Sequence, residues 1–179
     1  VGVSVVNALS SRLDVEVRRD GKMHHMAFER GKVVEPLVVI GETTKTGTMI
    51  RFVPDREVFG NTWPSREYFE QHLWDVACLT PGLVTELDGE LTFHAPNGLA
   101  NMVARSAEGR TRLQPEPLRI CVKSDIVDVE VALQWTAEGQ PQINGLVEWW
   151  RVLQGTHIEG LWDAIREVIC DIAGRERFN

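Results

Sequence analysis

Leu13-Asp14-Val15-Glu16-Val17-Arg18-Arg19-Asp20-Gly21-Lys22-Met23-His24-His25-Met26-Ala27-Phe28-Glu29 decides the fold of the first half of the chain. Leu13, Val15 and Val17 alternate with Asp14, Glu16 and Arg18, the period of a half-buried strand. Asp20-Gly21 then supplies the positive φ values of a tight hairpin turn, so Lys22 to Glu29 is the antiparallel partner. Toward the C-terminus, Arg30-Gly31-Lys32 makes a second turn. Val33 to Ile40 is a third strand, placed at an edge because Pro36 cannot donate to a ladder. The polar loop Gly41 to Gly47 leads into a fourth, Thr48 to Val53, closed by Pro54-Asp55. The first half therefore reads as an antiparallel meander. Toward the N-terminus, Val1-Gly2-Val3-Ser4-Val5-Val6-Asn7-Ala8-Leu9-Ser10-Ser11 begins without a Met, as if cut from a longer polypeptide. Gly2 reads as a tight turn feeding a short helix, with Val3, Val6 and Leu9 or Ser10 on one face. Such a helix can simply face a core, or its free N–H groups can hold a phosphate.

Beyond the meander, Phe69, Leu73, Val76 and Ala77 share one face of a helix. Thr62 or Ser65 is its cap, Pro64 falls in its first turn, and Pro81-Gly82 ends it. Leu83 to Leu87 and Leu91 to Phe93 form a hairpin about Asp88-Gly89. Ala95-Pro96-Asn97-Gly98 is the expected domain boundary. Leu99, Met102 and Val103 mark a short helix that Leu113 to Pro117 breaks. Arg119 to Lys123, Ile126 to Trp135 and Gln142 to Trp150 are expected to be three strands of one sheet. The last helix carries Ile158, Leu161, Trp162, Ile165, Val168, Ile169 and Ile172 on one stripe and is expected to pack on that sheet. Segregated antiparallel strands and helices make the fold class α+β.

At 179 residues the chain can bury a core without staples. With 19 Lys+Arg against 26 Asp+Glu it lacks the electrostatic footprint of a chain that wraps nucleic acid. Three widely spaced cysteines, Cys78, Cys121 and Cys170, argue for free thiols in a reducing compartment, the cytoplasm, and against a disulfide frame or a zinc site. No apolar run is long enough to span a membrane. His24 and His25 are neighbours on a strand and point to opposite faces, so they cannot close on one metal ion. Cys170 falls on the apolar stripe of the last helix and His72 on the Phe69 side of its own, both readable as structural. No catalytic triad, phosphate-binding glycine loop or carboxylate pair can be read. Gly155-Thr156-His157 precedes the last helix, where Thr156 is a fair N-cap; plain capping accounts for it, and a domain-coupling or ligand-sensing loop is the functional reading. Trp149-Trp150, with Trp135 and Trp162, points to an aromatic cluster, either core or an interface.

Three stretches carry a resemblance: Val1 to Ser10; Lys45-Thr46-Gly47-Thr48-Met49-Ile50-Arg51-Phe52 with Pro54-Asp55; and Val129 to Trp135 with Gly155-Thr156-His157. In order and spacing they resemble the B subunits of DNA gyrase and topoisomerase IV, the first stretch almost word for word. The resemblance implies the end of a GHKL-type ATPase sandwich over residues 1–94. Over 95–179 it implies part of a transducer domain similar to the second domain of a small-subunit ribosomal protein. Val1, Gly2, Val3 and Ser4 would be the end of the ATP lid, and Thr48 would line the adenine pocket. Gly155, Thr156 and His157 would belong to the coupling machinery. ATP and Mg2+ are the implied cofactors of the parent protein, with none expected bound to this stretch. The implied partners are DNA, an A subunit and a second B subunit; no membrane is implied. The family's general-base Glu, Mg-binding Asn and adenine-binding Asp lie upstream of this stretch, and its γ-phosphate Lys lies downstream. On that ground the chain alone is expected to be catalytically inactive.

The resemblance has gaps. Relatives carry Arg-x-x-x-Phe-Leu-Asn-x-Gly where this chain has Leu73 to Gly82, Gly-Gly where it has Asn97-Gly98, and Asn-Asn-Ile where it has Glu148 to Arg151. Two readings therefore stand: a fragment of a working topoisomerase B subunit, or a non-catalytic paralogue that serves as a dimerisation or protein-binding module. A histidine kinase of the same ATPase superfamily is disfavoured by Gln134-Trp135 and Gly155-Thr156-His157.

Overall fold

The computed structural model describes residues 2–148 and 150–176. It divides into two compact units, Val1–Pro64 and Ser65–Asn179.

The first unit runs α1 (Gly2–Ala8), β1 (Ser10–Arg19), β2 (Lys22–Glu29), β3 (Lys32–Glu42), β4 (Gly47–Pro54) and α2 (Arg56–Phe59). Its strands form one antiparallel sheet in the order β3-β2-β1-β4, which leaves Pro36 on an edge strand as expected. Asp20 and Gly21 sit at φ 52° and 76°, the geometry that the Asp-Gly pair favours. Register fixes the two faces. Leu13 lies opposite Phe28 and Phe52, Val15 opposite Met26 and Ile50, and Val17 opposite His24 and Thr48. The other face carries Arg12, Asp14, Glu16 and Arg18, with ion pairs Arg12–Asp14 at 2.9 Å and Arg18–Glu16 at 2.6 Å.

Helix α1 forms where the sequence places it, but it buries none of its residues. The Val3 and Val6 face therefore meets no core among the described residues, a correction to the core-facing reading. The join to the sheet is tied instead by hydrogen bonds. Ser10 Oγ donates to Val6 O at 2.6 Å, Arg30 N to Ser10 O, and Asp55 N to Leu9 O.

The second unit contains α3 (Arg66–Leu79), β5 (Val84–Leu87), β6 (Leu91–His94), α4 (Leu99–Ser106), β7 (Leu118–Lys123), β8 (Asp128–Leu133), β9 (Gly145–Val147), β10 (Trp150–Val152) and α5 (Thr156–Glu176). Ser65 caps α3, its Oγ accepting from Tyr68 N at 3.2 Å, so Pro64 lies before the cap and not in the first turn. The core gathers Ala77, Cys78, Ala95 and Met102, with Trp74, Phe93, Leu99 and Leu146 against it. This rotates the buried side of α3 away from the expected Phe69 stripe, and Phe69 stays exposed. Small Ala77 and Cys78 let α4 approach α3 closely, which bulkier neighbours on the Phe69 side would not. Ala95, in the expected boundary segment, is fully buried in this core.

The expected three-stranded sheet is two hairpins. β7 pairs with β8, and β9 pairs separately with β10. Glu148, at φ 55°, turns the chain inside the segment read as one continuous strand. Nor does α5 bury its stripe: Trp162, Val168, Ile169 and Ile172 are exposed, as is Cys170. Helical spacing identifies an apolar stripe but not what covers it. No tryptophan cluster forms among the described residues; Trp150 meets His72, and Trp135 and Trp162 are exposed, while Trp149 lies outside them.

Candidate functional site

In the first unit, Gly2, Val3 and Ser4 form the first turn of α1, and Val1 lies outside the described residues. The first N–H groups of a helix have no intrahelical partner and favour an anion. A Cβ built on Gly2 would meet nothing within 4 Å, so the approach to this turn is open. Thr48 projects from β4 beside Val17 on the apolar face of the sheet. Its hydroxyl is exposed, and no described residue serves as its hydrogen-bond partner. Such a hydroxyl can donate and accept at once. Thr48 and Ser10, which follows α1, stand at opposite ends of β1, seven residues or about 23 Å apart at the rise of a strand.

The row across the sheet at Thr48 runs Thr48, Val17, His24, Val39. His24 is thus a polar neighbour that pair-by-pair reading of the histidines missed; the hairpin register already contained it. His25 lies on the other face, its Nε2 3.2 Å from Asp14 Oδ1. Among the described residues no group of three His, Cys, Asp or Glu could hold a metal ion.

Beneath the α1–β1 join sits an ionic knot. Arg30 Nε donates to the buried Asp55 carboxylate at 2.6 Å, and Arg30 Nη2 reaches Glu57 at 2.8 Å. Asp55 also caps α2 by accepting from Glu57 N. That backbone N–H, aided by Arg30, holds the Asp55 carboxyl below its usual range.

In the second unit, Gly155-Thr156-His157 begins α5. The Gly155 carbonyl accepts from Ile158 N and Glu159 N, which makes Gly155 the capping position and Thr156 the first helical residue. This corrects the assignment of Thr156 as the cap. The register of a helix start depends on backbone angles that the side-chain pattern does not fix. His157 lies against buried Gly145 on β9. Nearby, a cavity of about 640 Å³ is lined by Gln71, Trp74, Met102, Arg105, Asn144 and Arg151. Arg105 stacks its guanidinium 4.9 Å from the Trp74 ring centre. At its edge Arg151 grips the buried carboxylate of Asp75, a pair that nothing in the sequence had flagged. The same surroundings push the Cys78 thiol up to about 12, by burial and by the nearby Asp75 charge.

No protein-family model matches the chain. Relatives do. The B subunit of the type 2 topoisomerase of Aquifex aeolicus is 37% identical over 97% of this chain. The DNA gyrase B subunit of Thermotoga maritima is 34% identical over 99% of it. Among solved structures, the 43K ATPase domain of Thermus thermophilus gyrase B, crystallised with an aminocoumarin, superposes at a TM-score of 0.84 with 35% identity over 99% of this chain. The chain belongs to the family of gyrase and topoisomerase IV B subunits. It spans 23% and 30% of those two relatives and 51% of the gyrase B domain, so it matches a part of each. The α+β reading agrees with these gyrase B neighbours.

Proposed function

We propose that this chain acts as part of the B subunit of an ATP-dependent type II DNA topoisomerase, an isomerase of DNA topology in the cytoplasm. Residues 1–94 supply the end of the ATP lid and one wall of the adenine pocket. Residues 95–179 supply part of the transducer that couples nucleotide binding to strand passage. The observation that carries the reading is the match along 99% of the chain to a gyrase B ATPase domain.

The residues present fit a nucleotide in two places. The open first turn of α1 offers backbone N–H groups to phosphate oxygens. The exposed Thr48 hydroxyl suits the edge of a base, reached directly or through water. ATP brings the phosphoryl group whose transfer to water drives the cycle, with Mg2+ neutralising it. In the family the resemblance points to, the general-base Glu, Mg-binding Asn, adenine-binding Asp and γ-phosphate Lys come from other stretches, so on this reading residues 1–179 alone neither hydrolyse ATP nor bind it tightly. The chain's working partners are a second B subunit, an A subunit and DNA.

The test is DNA-stimulated ATP hydrolysis and strand passage by the full-length protein with its A subunit. Thr48→Ala should raise the KM for ATP about tenfold, the weight of one hydrogen bond of roughly 1–1.5 kcal/mol, with kcat little changed. Folded full-length protein that never hydrolyses ATP would overturn the reading. It would instead favour a non-catalytic module, for which the exposed Trp150 within the divergent Glu148 to Arg151 segment is the supporting observation.

A further inference from the structure

Asp75 is a buried carboxylate in the middle of α3, with 7% of its side chain exposed. Arg151, 76 residues later on β10, meets it with two prongs: Nε donates to Oδ2 at 2.6 Å and Nη2 to Oδ1 at 2.7 Å. Gln71 Nε2 adds a third donor to Oδ1 at 2.7 Å. The remaining prong, Arg151 Nη1, donates to Asn144 Oδ1 at 2.8 Å, just before β9. One guanidinium therefore ties both ends of the β9–β10 hairpin to one point on α3.

The hairpin in turn seats the start of α5. A Cβ on Gly145 would lie 2.9 Å from the Val152 carbonyl oxygen, which favours glycine in the hairpin, and 2.6 Å from Ile158 Cδ1 and 3.0 Å from His157 Nε2, so the side chains of the first turn of α5 rest against Gly145. Gly145 follows Asn144, and Gly155 follows Arg151 by four residues. A set of contacts thus runs from Asp75 through Arg151 and Asn144 to the adjoining Gly145, against which His157 and Ile158 rest. A planar two-pronged pair suits this task because it fixes orientation as well as distance, which a lysine would not.

We propose that Arg151 is a positioning residue that locks the Gly155–His157 helix start to α3 through Asp75, so that a displacement of α3 is delivered to α5. The proposal rests on the function given above, in which α3 lies on the ATPase side of residue 94 and Arg151 on the transducer side.

The test uses the full-length protein with its A subunit and three variants, Arg151→Met, Arg151→Lys and Asp75→Asn. ATP turnover and strand passage are measured together, with amide exchange over residues 156–161. Arg151→Met should keep ATP turnover within about twofold, lower strand passage per ATP about tenfold, and speed exchange at 156–161. Arg151→Lys should fall between it and the parent, since it keeps the charge and loses the fork. Asp75→Asn should resemble Arg151→Met and guards against an unfolded first variant. Unchanged exchange at 156–161, or equal losses of turnover and strand passage, would overturn the proposal. A parent protein without ATP turnover would overturn the functional reading, and the exchange measurement would still decide the lock.

Discussion

Among the described residues, each unit holds one buried carboxylate with an arginine, Asp55 with Arg30 and Asp75 with Arg151, but the two pairs differ in reach along the chain. In the first, Arg12 pairs with Asp14 and Arg18 with Glu16 on one sheet face, the partners of each pair two residues apart along β1, and Arg30 reaches Asp55 25 residues on. In the second, the buried Asp75 carboxylate meets the partly exposed Arg151 from an element 76 residues later. Exposed pairs such as the two on the sheet face contribute roughly 0–1 kcal/mol each, whereas breaking either pair with a buried carboxylate strands a buried charge. The sheet-face pairs decorate a sheet that hairpin register already specifies. The Asp75–Arg151 pair joins a hairpin to a helix 76 residues earlier, so the seat of that hairpin rests on one consequential contact.

The largest expected effect comes from emptying each unit's interior. Leu13→Ala and Met102→Ala should each cost about 3 kcal/mol, as both side chains are buried. Each loss should appear in the amide-exchange protection of its own unit. Equal loss in both units from either substitution would break the division into two compact bodies.

Next comes acid. The Asp14 and Asp55 carboxyls are held below their usual range, Asp14 by hydrogen bonding to Arg12 first and Asp55 by the Glu57 N–H first. A carboxyl with a depressed folded pKa gives stability that is fully present above its unfolded value, about 3.9, and is lost as pH falls through the folded one. Residues 1–64 should therefore lose protection below about pH 4. Asp55→Asn should reduce stability at neutral pH and flatten that acid dependence. An unchanged acid profile would detach the ionic knot from the stability of the α1–β1 join.

The smallest effect is chemical and costs no stability. Cys121 and Cys170 are exposed and should react at once with a thiol reagent, while Cys78, buried and pushed up to about 12, should react only on unfolding. Three fast thiols would mean that the α3–α4 core opens readily.

Much of the first unit was legible because its information is local. Asp20-Gly21 names its own turn, alternation from Leu13 to Val17 names its faces, and Pro36 names its edge. The candidate nucleotide contacts at Gly2 to Ser4 and Thr48 were legible through resemblance, not through chemistry readable in isolation. The second unit hid more. Asp75 gave no signal in the sequence, because an acidic side chain is placed in a core only by a partner, and Arg151 is 76 residues away. The turn at Glu148 lacks the glycine or asparagine that announces such geometry, so two strands read as one. The stripe of α5 was legible as a stripe, yet periodicity carries no statement about its partner.

Amide exchange of the full-length protein, with and without a non-hydrolysable ATP analogue, tests the central claim most directly. Nucleotide should protect residues 2–6 and in the same experiment alter exchange at 155–161, with the second change lost in Arg151→Met. Protection at 2–6 with no response at 155–161 in the parent protein would contradict that claim.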